Sequence, residues 1–240
     1  MKSARISTRF PLLFAALLLE SGGLFAKEKL EASPGEEAQR RPLEEVQRFS
    51  SEELRAVTSV RVSDDGKFLY AAAYQSSAVA VFKRNATTGQ IEADASIETP
   101  ELAAAVSVRL SPDNKLAAVA AFRANAINLF KRDAETGELI FLDVAVEGEK
   151  GASGLNFAID SAFSADNRFL YTGAATGLGI FEIADEKLGF VASETAGGKL
   201  MGVRGVVISP SGSLLYAAAT QSGTLGVFKR DAKTGKIELL

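Results

Sequence analysis

The chain repeats itself four times, and the period is too long for one secondary-structure element and too short for an ordinary domain. One turn element reads Ser63-Asp64-Asp65-Gly66-Lys67, then Ser111-Pro112-Asp113-Asn114-Lys115, Ser164-Ala165-Asp166-Asn167-Arg168 and Ser209-Pro210-Ser211-Gly212-Ser213. Its opening serines stand 48, 53 and 45 residues apart. A second marker, Val81-Phe82-Lys83-Arg84, returns in step as Leu129-Phe130-Lys131-Arg132, Ile180-Phe181-Glu182-Ile183 and Val227-Phe228-Lys229-Arg230. Two independent markers that keep phase over four copies predict a repeat architecture across residues 43–240.

Each unit reads as four β-segments. The first alternates, as in Ser59-Val60-Arg61-Val62 and Ser107-Val108-Arg109-Leu110, the period of a strand with one buried face. The Asp/Pro/Asn/Gly turn then closes a tight hairpin, because those residues cap a turn or tolerate positive φ. The second strand, Phe68-Leu69-Tyr70-Ala71-Ala72 in the first copy, carries alanines suited to close sheet packing. The third ends in the Val-Phe-Lys-Arg marker. Asn85-Ala86-Thr87-Thr88-Gly89 follows, echoed by Asp133-Ala134-Glu135-Thr136-Gly137 and Asp231-Ala232-Lys233-Thr234-Gly235, with glycine free to close the hairpin in a left-handed conformation. The fourth begins at Ile91, Leu139 and Ile237.

Such units cannot bury both sheet faces alone and must stack. The expected fold class is therefore all-β: a β-propeller of four-stranded antiparallel blades at about 56–99, 104–147, 157–198 and 202–240. Phe82, Phe130, Phe181 and Phe228 read as inter-blade core. The Lys-Arg pairs at the third-strand ends read as solvated edges spread around a ring. Shifted by 48 residues, Leu43-Glu44 fall on Ile91-Glu92, so 43–49 reads as an extra outer strand. Because Ile237-Glu238-Leu239-Leu240 starts a fourth strand of its own, one blade would hold two outer strands in the same place. The expectation is that these 240 residues are four blades of a longer ring; the rival reading is a complete four-bladed ring with a redundant strand, or an arc closed by a second copy.

Residues 1–26 carry the marks of an export signal: Lys2, Arg5 and Arg9, the apolar run Phe10–Leu19, the breakers Gly22 and Gly23, and Ala26 before the expected cleavage point. The run is too short to span a bilayer comfortably, so the mature chain is expected to be extracytoplasmic with no membrane span. Residues 27–42, charged and holding two prolines, read as a solvated tether. A net charge of −3 gives no reason to expect a nucleic-acid partner. The chain holds neither cysteine nor histidine, which excludes disulfides, thiolate nucleophiles, imidazole-ligated metals and Ser-His-Asp catalysis. Asp64-Asp65-Gly66 lacks the further spaced ligands of a calcium loop and reads as a turn. No metal and no cofactor are expected.

The motifs Ser-Pro-Asp-Asn-Lys, Leu-Tyr-Ala-Ala and Ala78-Val79-Ala80-Val81-Phe82-Lys83-Arg84-Asn85-Ala86-Thr87-Thr88-Gly89 resemble the lactonase-type seven-bladed β-propellers, including YVTN-repeat surface proteins. The resemblance covers about 43–240. It implies a range from 6-phosphogluconolactonase-like lactone hydrolases to non-enzymatic extracytoplasmic propellers. It also implies an Arg-His pair facing the channel, five and four residues before a turn serine. Those positions hold Thr58-Ser59, Val106-Ser107, Ile159-Asp160 and Arg204-Gly205, so Arg204 matches and Gly205 stands where histidine would be. Arg123 matches an arginine that family members carry in the loop between second and third strands. Arg123, Asp160 and Arg204 are thus the candidate ligand-binding residues, suited to an anionic sugar acid because guanidinium pairs with carboxylate in a two-pronged geometry. Asp160 is the one candidate catalytic base, if burial raises its pKa. With no histidine, the first reading is an exported binding or scaffold module for a protein or carbohydrate partner; the alternative is hydrolysis of a sugar lactone.

Overall fold

A computed structural model of the protein describes residues 45–240. The expected export signal, the tether and the first two residues of the expected extra strand lie outside the described residues. The rest forms sixteen strands in four antiparallel sheets, each with its strands in chain order. The first sheet comprises β1 (Val57–Val62), β2 (Phe68–Ala73), β3 (Ala78–Arg84) and β4 (Ile91–Glu98). The second comprises β5 (Ala105–Leu110), β6 (Leu116–Ala121), β7 (Ala126–Arg132) and β8 (Leu139–Val146). The third holds β9 (Asp160–Phe163), β10 (Phe169–Ala174), β11 (Gly177–Ala184) and β12 (Lys187–Glu194). The fourth holds β13 (Val203–Ile208), β14 (Leu214–Ala219), β15 (Thr224–Arg230) and β16 (Ile237–Leu239). The first strands β1, β5, β9 and β13 neighbour one another in series, as the inner strands of successive propeller blades do.

The turn marker works by one device in the first three blades. Ser63 Oγ accepts the Phe68 N–H at 3.0 Å and donates to Asp65 at 2.5 Å, and the Asp65 carboxylate accepts the Lys67 N–H at 3.0 Å. Ser111 with Asp113 and Ser164 with Asp166 repeat it, and the left-handed position falls on Gly66, Asn114, Asn167 and Gly212. Since Ser63 is 2% exposed and ties three groups together, Ser63→Ala should destabilise the protein by about 1 kcal/mol, read as a lower urea midpoint with unchanged m-value.

Hydrophobic burial lies between blades rather than within them. One cluster joins Phe68, Tyr70, Val79 and Val81 of blade 1 to Val108, Val119 and Phe130 of blade 2. A second joins Ile127 and Leu129 to Leu170 and Phe181, and a third joins Tyr171 and Ile180 to Leu215 and Phe228. Phe82, Phe130, Phe181 and Phe228 are each at most 2% exposed. Blade 1's other face, around Ala71, Ala80 and Phe82, is covered by Leu54, while Phe49 meets Phe82 edge-on at 5.1 Å.

Two sequence expectations need correction. Residues 45–49 join no sheet; Gln47 instead uses its side-chain amide to bond both main-chain groups of Ile91, at 2.9 and 2.8 Å. The apolar residues Leu43, Val46 and Phe49 recur every third position, which fits no strand face. The Lys-Arg pairs are also not solvated edges as a whole. Lys83, Lys131 and Lys229 are exposed, but Arg132 and Arg230 are 4% and 7% exposed. Arg132 Nε donates to the Tyr70 hydroxyl of the preceding blade at 2.8 Å, and that hydroxyl donates to Gly137 O at 2.9 Å. Arg230, Tyr171 and Gly235 repeat the arrangement at 2.7 and 2.8 Å. Period-two alternation turns neighbouring basic residues to opposite faces, so lysine meets water and arginine meets the preceding blade.

Candidate functional site

The first strand of three blades carries a β-bulge at one fixed place: between Val57 and Ser59, Ala105 and Ser107, and Val203 and Gly205. The skipped residues are Thr58, Val106 and Arg204. A bulge leaves its extra residue out of the ladder and re-aims the side chain, and here it turns all three toward one cavity of about 500 Å³. Ser59, Ser107, Ile159 and Asp160 complete the inner-strand lining, and Arg109, Tyr74 and Phe122 close it. Seven of the eight positions where the resemblance implies channel-facing residues thus line a single space; the exception is Gly205.

Asp160 opens β9 and is 5% exposed. Its Oδ2 accepts the Val206 N–H of the next blade at 3.1 Å, as Ser59 Oγ accepts the Val108 N–H at 3.4 Å between blades 1 and 2. The position is therefore an inter-blade strut in blades 1 and 3. What sets Asp160 apart is its second oxygen. Oδ1 forms an ion pair with Arg109 Nη2 at 2.8 Å. Burial pushes the Asp160 carboxyl above the ordinary carboxylate range, although the Arg109 charge and the Val206 and Ser161 N–H groups pull the other way. Ser107 Oγ, in the same lining and 4% exposed, has no hydrogen-bond partner among the described residues. A buried carboxylate and a buried hydroxyl thus face one cavity.

The guanidiniums complete the charge pattern. Arg204 is exposed, its Nε 3.3 Å from Thr220 Oγ1. Arg109, which the sequence reading missed, lies two residues after Ser107 and on the same strand face. Its counterpart Arg61 instead reaches Asp64 at 3.7 Å. The difference follows from the neighbour: beside Arg61 the next blade presents neutral Ser107, whereas beside Arg109 it presents Asp160. Asp160 and Arg204 therefore share the cavity. Arg123 does not line it; it is exposed and stacks 5.2 Å above the ring of Tyr74, which does. Asp65 is engaged in the turn and with Arg132 Nη2 at 3.2 Å.

At Gly205 a Cβ would meet only Ala218, at 3.9 Å, and the backbone lies outside the left-handed region. Gly205→His should therefore fold without strain, and thermal unfolding should stay within about 2 °C of the parent, as a ΔΔG below 0.5 kcal/mol implies.

A family model described as "Lactonase, 7-bladed beta-propeller" matches residues 36–155 and 148–240. No curated relative of the sequence was found. Among solved structures, the chain resembles the periplasmic gluconolactonase of Pseudomonas aeruginosa, with 25% identity and a TM-score of 0.65, over 77% of this chain and 53% of that one. It also resembles putative 6-phosphogluconolactonases of Bacteroides uniformis (21%, TM-score 0.66, 76% and 53%) and Bacteroides fragilis (18%, 0.65, 77% and 53%). The chain spans about half the length of these structures. With the family model covering most of the sequence and its four-stranded blades in place, the chain belongs to the lactonase-type seven-bladed β-propeller family.

Proposed function

We propose that the protein binds and opens a sugar lactone at the cavity around Asp160, which puts hydrolysis ahead of the binding-module reading that the missing histidine first favours. The observation that carries this is the buried Asp160 carboxylate, paired with the Arg109 guanidinium at 2.8 Å in a cavity that Arg204 also lines. Family membership and the gluconolactonase name of the Pseudomonas aeruginosa neighbour support the substrate class.

In this reading Asp160 accepts a proton from water as the water oxygen bonds to the lactone carbonyl carbon. The oxyanion that forms is met by guanidinium charge from Arg109 or Arg204. The bond between that carbon and the ring oxygen then breaks, the ring oxygen takes the proton from Asp160, and the product leaves as a hydroxy acid that ionises and gives its carboxyl proton to solvent. Ser107 Oγ supplies one more hydrogen bond to water or substrate. The elevated carboxyl pKa suits the role, because a base works best when its pKa lies near the working pH.

The test is acid release from glucono-δ-lactone and its 6-phosphate with purified protein, followed with a pH indicator over the spontaneous rate. A saturable acceleration is expected. A rate equal to buffer with both lactones, from protein that binds gluconate, would return the site to a sugar-acid binding role.

A further inference from the structure

A repeat protein supplies its own baseline. A position filled alike in most blades serves the fold, and a departure in one blade is open to other work. Two departures, Arg123 and Phe157, stand beside an aromatic pair, Tyr74 and Phe122, that lines the cavity. The residue after each second strand is Tyr74, Phe122, Ala175 and Thr220 in the four blades, and the one after it is Gln75, Arg123, Thr176 and Gln221. Seven residues before each turn serine stand Ala56, Ala104, Phe157 and Gly202. All four of these last residues are left-handed, with φ of 55°, 57°, 52° and 69°. Alanine and glycine bear that conformation more cheaply than a bulky aromatic does.

Phe157 is held there all the same, its N–H donating to Asn125 Oδ1 at 2.8 Å, and its side chain is not hidden: it is 43% exposed. Strain kept at a displayed side chain is a mark of function rather than of packing. The ring lies 4.8 Å from Phe122, the planes 32° apart, and Phe122 lies 6.0 Å from Tyr74. Arg123 caps the far end over Tyr74. Tyr74 and Phe122 also line the cavity of Asp160, so the row of rings runs on from it.

We infer that this aromatic shelf is a second sugar subsite, holding a pyranose ring joined to the sugar acid or lactone seated at Asp160. The C–H face of a pyranose chair is apolar and flat enough to lie on an aromatic ring, while its hydroxyl rim stays free for a polar group such as Arg123. The ligand class is then an aldonic acid or aldonolactone bearing a glycosyl substituent. The lactone half of that statement rests on the proposed function; the stacking half does not.

Titration calorimetry with gluconate, cellobionate and cellobiose, on the parent and on Phe157→Ala, separates the two. None of the three is a lactone, so spontaneous ring opening does not intrude. The parent should bind cellobionate about tenfold tighter than gluconate, a difference of about 1.4 kcal/mol. In Phe157→Ala that ratio should fall to about one with gluconate affinity unchanged. Thermal stability should not drop, since alanine is what blades 1 and 2 carry at this position. Equal affinities in the parent, or a ratio that Phe157→Ala leaves intact, would overturn the shelf while gluconate binding keeps the site at Asp160. A lower melting temperature with an unchanged ratio would make Phe157 a packing residue and overturn it too. Cellobiose binding that is lost in Phe157→Ala, with gluconate silent, would uphold the shelf and remove the reading of Asp160. Silence from all three ligands would overturn both.

Discussion

Arg132→Ala should destabilise the protein by about 3 kcal/mol, at the low end of the cost of breaking a buried ion pair by deleting one partner. The guanidinium is 1% exposed and makes three bonds that cross or close the blade 1–2 interface. Nε donates to Tyr70 Oη at 2.8 Å, Nη1 to Asn114 O at 3.2 Å and Nη2 to Asp65 at 3.2 Å. The same group lies over the rings of Phe68 and Tyr70, at 5.4 and 6.0 Å. For a folded unit of this size the midpoint of thermal unfolding should fall by about 6–12 °C. Arg132→Lys should recover little, because an ammonium cannot serve three acceptors in a plane. Lys131→Ala, one residue away, is the control. Its ammonium pairs with Glu186 at 3.3 Å with both side chains more than half exposed, and its loss should move stability by no more than about 0.5 kcal/mol.

The pH dependence of the difference between parent and Arg132→Ala checks the cause. Partial burial pulls the Asp65 carboxyl up, but Ser63, the Lys67 N–H and Arg132 outweigh it and hold it below the usual range. A depressed carboxyl contributes stability above its unfolded pKa and loses it as the pH falls through the folded one. Burial raises the Tyr70 hydroxyl despite Arg132, so its contribution is complete below the ordinary tyrosine pKa and fades as the pH climbs through the folded value. Since Arg132 depresses Asp65 and the rise at Tyr70 comes from burial that both proteins share, the destabilisation should be full at neutral pH and narrow in strong acid.

Periodicity made the blades legible. The serine turn and the Val-Phe-Lys-Arg marker recur because each blade needs the same hairpin and the same inter-blade knob, and the four strands of each sheet follow in order. What periodicity could not carry was the identity of neighbours across blades. Arg61 and Arg109 look alike in their own strands, and only the facing residue, Ser107 or Asp160, sends one toward Asp64 and the other into the cavity. Arg132 looked solvated for the same reason, since its partners Tyr70 and Asp65 stand 62 and 67 residues before it, in the preceding blade. The bulge that turns Thr58, Val106 and Arg204 inward leaves no mark in composition, whereas the positions of Asp160 and Arg204 could be picked from the resemblance. The tight spacing of Leu43, Val46 and Phe49 was the available warning against an extra strand.

Asp160→Asn should lower lactone hydrolysis by about 100-fold or more, the usual weight of a general base, and it should do so without loss of fold. Asparagine keeps an oxygen for the Val206 N–H, which Asp160 Oδ2 now accepts at 3.1 Å. Arg109, 39% exposed, remains hydrated when its counter-charge goes. The sign of the stability change separates this from simple damage. The Asp160 carboxyl is raised chiefly by burial, so its contribution to stability is complete below the unfolded carboxylate pKa and declines as the pH rises through the folded value. The amide carries no charge to desolvate, so the variant should match the parent in acid and equal or exceed it in stability at neutral pH, while turning over no faster than buffer. The parent's rate should fall on an acid limb whose midpoint lies above the ordinary aspartate range and vanishes with the carboxylate. If the variant instead loses stability at neutral pH in proportion to its activity, Asp160 is a strut between blades 3 and 4 and the base lies elsewhere in the cavity. Retained turnover with a flat acid limb would exclude Asp160 from the chemistry altogether.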